Sequence, residues 1–307
     1  MASSDLAPAR RRNRSRGNRP RRPDRRGEPV SRFWKIVVTA ALVVASLYFL
    51  VPVYWLVIAA TKSTGQLFTT PGLLPADFHL WDNLVELSTH DGGIFWRWTL
   101  NSAVYSVFGS LLTTLVCAVT GYALAVYRFA GRRTIIGIVL ASMLVPGTVL
   151  AQPTYVLLVH IGLNNTYAGI LLPALVYPFG VLLCFIYAQS SIPYELIEAS
   201  RLDGAGEFRT FVSVGMRLMG NGLVTVVLFA FLASWNNYLL PLLVLTERKL
   251  MPLTVGLTGW EQSSTSVAGL QGLVISGSLV SVVPIALVFV SLQRYWRQGL
   301  TTGGLKG

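Results

Sequence analysis

The chain has 307 residues, of which 53% are hydrophobic and only 12% charged, with a mean hydropathy of +0.57. That composition excludes an ordinary soluble domain, in which roughly a quarter of residues are charged. The net charge of +12 comes largely from one terminal segment.

In chain order that segment comes first. "ARRRNRSRGNRPRRPDRR" is rich in Arg, Pro, Gly and Ser and offers little to bury, so residues 1–32 are expected to form a disordered tail. Such a run can meet nucleic-acid phosphates or anionic lipid headgroups. A solvated tail that enforces topology is the simpler reading, and no nucleic acid is expected.

Six windows lacking Asp, Glu, Lys, Arg and His follow, at residues 36–61, 98–127, 134–159, 167–188, 222–246 and 273–292. Each reaches the roughly 20 residues that a helix needs to cross hydrocarbon. The first is longer than a signal-peptide core and shows no small-residue cleavage site near Trp55 or Lys62, so it is read as a retained span. Cys117 and Cys184 fall inside windows, which argues against a structural disulfide. With the N-terminus inside, 21 of the Lys and Arg residues fall on the inner side; the outer loops keep only Lys62, Arg97, Arg248 and Lys249. This asymmetry predicts a multi-pass cell-membrane protein with both termini cytoplasmic.

The first outer loop carries Asp77, Asp82, Glu86 and Asp91, interleaved with Trp81, Trp96 and Trp98. A membrane hydrolase can use such carboxylates, but a solvated acidic surface that receives an extracytoplasmic partner is the preferred reading. His79, His90 and His160 show no metal-ligand spacing. In the third window, Pro146, Gly147, Gln152 and Pro153 predict a bend, with Gln152 a weaker candidate for a solute pathway. Pro173, Pro178, Gly180 and Pro284 predict further bends.

Between the fourth and fifth windows stands "ELIEASRLDGAGEF". Ser191 and Pro193 suit the start of a helix, Gly204 its end, and Gly206 adds freedom beyond it. Leu196, Ala199, Ser200 and Asp203 recur on one face, and Ala199 and Ser200 are small enough for another protein to approach closely. The alternative is an amphipathic linker lying on headgroups. In the fifth window Trp235, Asn236, Asn237 and Tyr238 combine amides with aromatic rings. That combination suits a sugar, whose hydroxyls seek hydrogen bonds and whose C–H face stacks on rings; it equally suits bonds between helices. No window carries an ionisable group of the kind proton-coupled carriers use, and no lysine stands in a phosphate-binding loop. Energy must arrive through a partner.

"EASRLDGAGEF" resembles the cytoplasmic EAA loop of ATP-binding-cassette importer permeases. "MLVPGTVLAQPTYVLLVHIGLNNTYAGILLP" before it, "FLASWNNYLLPLLVL" after it and the C-terminal "QRYWRQGLTTGGLKG" extend the likeness to MalG-type carbohydrate permeases over residues 33–307. The resemblance implies an all-α integral membrane fold with six transmembrane helices, the type I ABC importer permease architecture, and a coupling loop at residues 189–221. It implies a non-enzymatic, cofactor-free permease subunit of a sugar importer. The implied partners are a second homologous permease, two cytoplasmic ATP-binding subunits, an extracytoplasmic sugar-binding protein and membrane lipid. A self-sufficient secondary transporter of a small polar solute is the alternative, and polyols or glycerol phosphodiesters fit the same motifs. Glu198, Ala199 and Ser200 take the places of the EAA triplet, and Asp203, Gly204 and Ala205 match the family's DGA. Glu198 is then the expected partner of a basic group on the ATPase. Met216, Arg217 and Asn221 stand where relatives have Leu-Pro and a further Pro, which predicts a straighter run into the fifth window.

Overall fold

The computed structural model describes residues 32–267 and 269–303, the last ten by backbone alone. Every regular element among the described residues is helical. The Arg-rich tail, apart from Arg32, and the C-terminal Lys306 lie outside them. The chain divides after Val51 into two units. The described part of the first is the almost wholly apolar stretch 32–51 of helix α1 (Arg32–Ala60). The second holds everything from Pro52 onward.

In the second unit, α2 (Gln66–Thr69) and α3 (Leu80–Thr89) follow the end of α1. Lys62 is buried there at 2% exposure, its Nζ donating to the Pro71 carbonyl at 2.7 Å. Asn83 Nδ2 donates to the carbonyls of Ala60 and Lys62, both at 2.9 Å, which fixes the start of α3 against the end of α1.

Helix α4 (Ile94–Val126) is the spine, 33 residues long. Its sides are reversed relative to a soluble helix: Ser102, Ser106, Ser110 and Thr113 are buried, whereas Phe108, Leu111 and Leu115 are exposed. Helices surrounded by hydrocarbon pack this way, because small residues let backbones approach and polar groups find partners across the contact. A methyl group at Gly121 would lie 2.5 Å from Cys184 Cβ and 2.7 Å from the Phe185 nitrogen, so glycine is required where the two segments meet. Thr113 Oγ1 donates to the Ala174 carbonyl (2.9 Å) and Ser234 Oγ to that of Tyr105 (3.0 Å). Such bonds contribute about 0.6 kcal/mol each on average.

The third window splits into α5 (Arg132–Ser142) and α6 (Gly147–His160), bent by 103°. The break lies between Ser142 and Gly147, where extended Pro146 stops the helix, and α6 runs on past Pro153. Helices α7 (Tyr167–Ala174) and α8 (Pro178–Ser191) form the fourth window with a 42° bend, Thr166 capping α7 through Gly169 N at 3.1 Å. Next come α9 (Tyr194–Leu202), α10 (Glu207–Thr210), a π-turn at Phe211–Gly215, α11 (Met216–Leu218) and α12 (Gly220–Trp235).

The straight run expected at Met216, Arg217 and Asn221 does not occur: segments Glu207–Leu218 and Gly220–Trp235 meet at 81°. The turn falls at Met219 (φ −79°, ψ −3°), whose side chain is buried with Ile197, Tyr122 and Phe211. Beyond it, Gly222 packs flat against the Tyr187 ring, where a Cβ would lie 2.3 Å from the ring. Packing therefore sets the bend without proline. The fifth window is also interrupted. Helix α12 stops at Trp235, and α13 (Leu239–Val244) resumes after a non-helical break. At about 1.5 Å per residue, α12 alone is about 24 Å long, short of a hydrocarbon core of about 30 Å. Helices α14 (Leu253–Ser263) and α15 (Leu270–Gly303) complete the described residues, and α15 continues through Pro284. By length and apolarity, three helical stretches among the described residues suffice to cross a membrane, or up to six when each bent pair counts as one span.

At the N-terminal end of α4, the Arg248–Leu250 turn is tied down by side chains of the spine. Trp98 Nε1 donates to the Arg248 carbonyl (2.8 Å), Asn101 Nδ2 to those of Lys249 (2.8 Å) and Met251 (3.0 Å), and Tyr105 Oη to that of Leu250 (2.9 Å). Tyr167 Oη donates to Asn101 Oδ1 at 2.8 Å, and the Arg248–Asp91 ion pair closes the patch at 2.6 Å. Of the outer-loop carboxylates, Asp91 pairs with Arg248, Asp82 with His79 (3.3 Å), and Asp77 accepts from Gln66 (2.9 Å).

Candidate functional site

Two groups of candidate residues lie in different parts of the second unit. The first is the 189–221 segment. Ser191 is the last residue of α8 and does not cap α9; the cap position belongs to Pro193 (φ −63°, ψ 136°), with no side-chain cap bond. Proline is tolerated there because the amide hydrogen it lacks would have no acceptor within the helix, and its fixed φ directs the chain into the helix. At the other end, the Gly204 amide bonds to the Arg201 carbonyl (3.0 Å) and the Ala205 amide to that of Ser200 (3.0 Å), with Gly204 at φ +77°. These are the two bonds of a Schellman termination, which places a left-handed residue at Gly204. Gly206 has an ordinary extended conformation (φ −68°, ψ 163°) and uses none of the freedom expected of it.

One side of α9 is anchored and the other is bare. Ile197 is fully buried beside Tyr122 and Phe211, and Ser200 Oγ pairs with the buried Thr210 Oγ1 at 2.9 Å. Glu198 and Ala199 are exposed, and Leu202 and Phe208 project at 88% and 80% exposure. Ala199, Ser200, Asp203 and Ala205, with Leu196 and Arg209, line an open groove of about 410 Å³. Glu198 and Gly204 lie outside its lining. Leu202 and Phe208 are contact candidates that helical periodicity missed, because their exposure depends on the turn between α9 and α10. Glu207 accepts from Arg201 Nε (2.9 Å) and from Tyr127 Oη (2.5 Å). Those bonds, Arg201's first and Tyr127's second, hold its carboxyl below the ordinary glutamate range.

The second group surrounds the break after α12. Asn236, Asn237 and Tyr238 line a cavity of about 450 Å³ together with Gly147, Thr148 and Thr154. An adjoining cavity of about 340 Å³ shares Gly147 and Asn237 and is also lined by Thr113, Tyr177 and Ser234. Neither lining contains Asp, Glu, Lys, Arg or His. The break is held by Thr254 Oγ1 donating to the Asn237 carbonyl at 2.7 Å. Asn236 Nδ2 bonds back to the Leu232 carbonyl at 2.9 Å, whereas the Asn237 side-chain amide has no hydrogen bond among the described residues.

Trp235 does not line either cavity. It is buried and stacks on Phe231 (5.7 Å, 20°) in the core with Trp98 and Trp260. Gln152 is exposed on α6 and also lies outside both linings. Thr148, Thr154, Thr113 and Ser234 were missed by sequence reasoning. The available signal was small polar residues near a predicted break, which only acquires meaning once α4, α6 and α12 are brought together. No group of three or more His, Cys, Asp or Glu suited to a metal ion occurs among the described residues.

Residues 118–301 match the family described as "Binding-protein-dependent transport system inner membrane component". The chain is 33% identical over 285 residues to the arabinooligosaccharides transport system permease protein AraQ of Bacillus subtilis (strain 168), covering 92% of this chain and 99% of that one. It is 32% identical over 257 residues to the diacetylchitobiose uptake system permease protein NgcG of Streptomyces coelicolor, covering 83% of each. Among solved structures, a bacterial ABC transporter involved in the import of the acidic polysaccharide alginate contains a chain that superposes with a TM-score of 0.75. The identity there is 23%, covering 86% of this chain and 96% of that one.

Proposed function

We propose a function from one premise: the chain belongs to the binding-protein-dependent transport system inner membrane component family and has the all-α fold of type I ABC importer permeases. It is a membrane permease subunit of an ATP-driven importer of carbohydrate. The 194–210 segment faces the cytoplasm, as do both termini, and α9 docks into an ATP-hydrolysing subunit. Glu198 meets a basic group there, Ala199, Ser200, Asp203 and Ala205 offer the close-approach groove, and Gly204 sets the turn. A second permease completes the pathway, and an extracytoplasmic binding protein delivers the solute. Asn236, Asn237 and Tyr238 contact the passing sugar.

One observation carries this reading: α9 is a rigidly terminated helix anchored by Ile197 on one side and bare on the other, with Leu202 and Phe208 unsupported. A helix lying passively on headgroups has no need of a bare groove of small residues. The uncharged cavity linings support a neutral polyhydroxylated solute, as do the sugar-uptake names of the relatives.

The test is purification of the tagged chain with its chromosomal neighbours co-expressed, followed by ATP hydrolysis with candidate sugars and binding protein. Co-purification of an ATPase and a second permease, with hydrolysis raised by one sugar, is the expected result. Gly204→Pro cannot adopt the left-handed conformation and is expected to abolish uptake while leaving sugar affinity of the binding protein unchanged. Transport by the isolated chain in vesicles without ATP would overturn the proposal in favour of a secondary carrier.

A further inference from the structure

The turn at residues 203–206 is the one covalent link between α9 and α10, and two of its four residues are glycine. A push on α9 can therefore be spent in bending that turn unless something bridges it. Glu207 does so with both carboxylate oxygens. Oε1 accepts from Arg201 Nε at 2.9 Å, and Oε2 accepts from Arg201 Nη2 at 3.3 Å and Tyr127 Oη at 2.5 Å. Arg201 is in the last turn of α9, and Tyr127 is the residue that ends α4. Beneath the clasp, the Tyr122 ring packs against Tyr127 (6.1 Å) and Phe211 (5.1 Å).

We infer that Glu207 is a positioning residue for energy coupling, one that ties α9 to the end of the α4 spine so that displacement of α9 moves α4. The inference rests on the docking role of α9 proposed above. Glu207 is half exposed and Arg201 about a third, so the clasp adds little to folding; exposed ion pairs rarely do. What it supplies is direction, because paired bonds to a guanidinium and a third bond to a phenol fix the carboxylate in orientation. Glutamine at this position loses the charge, and alanine loses both arms.

The experiment uses the complete transporter in lipid nanodiscs and vesicles, reading assembly, ATP hydrolysis and sugar imported per ATP. Glu207→Ala is expected to assemble and hydrolyse ATP while sugar per ATP falls about fivefold or more, the lower end of typical coupling effects. Tyr127→Phe, which cuts the α4 arm and so the tie itself, is expected to show a fall of the same kind. Exchanging the charges, Arg201→Glu with Glu207→Arg, re-forms the ion pair across the turn without the carboxylate that accepts from Tyr127, and is expected to restore only part of the ratio; the readout a merely structural role would not move is sugar per ATP at unchanged assembly and hydrolysis. Unchanged sugar per ATP in Glu207→Ala overturns the inference. So does loss of the ATPase from the Glu207→Ala complex, which would make Glu207 a docking contact. If the unaltered chain itself binds no ATPase, the proposed function has failed, a result distinguishable from either of these.

Discussion

The N-terminal end of α4 and the break after α12 look alike in sequence, each with Trp, Asn and Tyr close together in an apolar run: Trp98, Asn101 and Tyr105 in one, Trp235 to Tyr238 in the other. In the fold they are opposites. Asn101 is buried at 1% exposure and spends its amide on the carbonyls of Lys249 and Met251 and on the Tyr167 hydroxyl. Asn237 faces two cavities and keeps its side-chain amide unbonded within the described residues. Polar groups in an apolar setting that are fully answered by backbone serve the structure; those left over and open to a cavity are available to a solute.

Removing Asn101 should have the largest effect. Asn101→Leu strands the Met251 carbonyl and the Tyr167 hydroxyl, whereas the Lys249 carbonyl keeps Arg97 Nε at 3.2 Å; each unsatisfied buried group costs about 1–3 kcal/mol. Thermal unfolding in detergent should reveal a loss of roughly 2 kcal/mol or more, and wild-type stability would dissolve the contrast. Asn237→Leu is expected to leave the melting curve within about 0.5 kcal/mol. Sugar uptake should fall about fivefold, the worth of one hydrogen bond of about 1 kcal/mol; normal uptake would make the amide a packing group. Asn236→Leu gives up only a bond to its own helix, so its effect on uptake should be smaller than that of Asn237→Leu. A selectivity assay with sugars of different length ranks the two.

The least change is expected from pH. The Glu207 carboxyl is held below its ordinary 4.5, so the bonds that depend on its charge are present above that value and lost only as pH falls through the lowered one. Sugar imported per ATP should therefore be insensitive to this group between about pH 6 and 8. A loss between those limits that disappears in Glu207→Gln would contradict the assigned protonation state.

The two regions also show where sequence reading stops. Gly204 was legible because the left-handed conformation narrows the choice of residue, and the short polar stretch between apolar windows leaves few places for a helix to end. The 81° turn at Met219 was not, since no proline marks it and its causes, the Tyr122 and Ile197 side chains that bury Met219 and the Tyr187 ring over Gly222, come from other segments of the chain. Trp235 and Gln152 were grouped with the cavity residues by adjacency and by polarity. Helical geometry turned Trp235 into the core and left Gln152 exposed outside both linings.

By itself the sequence determined that this is an apolar, helical, membrane-suited chain with a polar loop terminated at Gly204, because hydropathy, charge placement and glycine chemistry are local properties. Only the tertiary structure decided which polar side chains are used up, where the windows break and which face of α9 is bare. Those outcomes depend on which neighbours reach a given atom, and that is settled by helices more than a hundred residues apart, as Asn101 and Lys249 are.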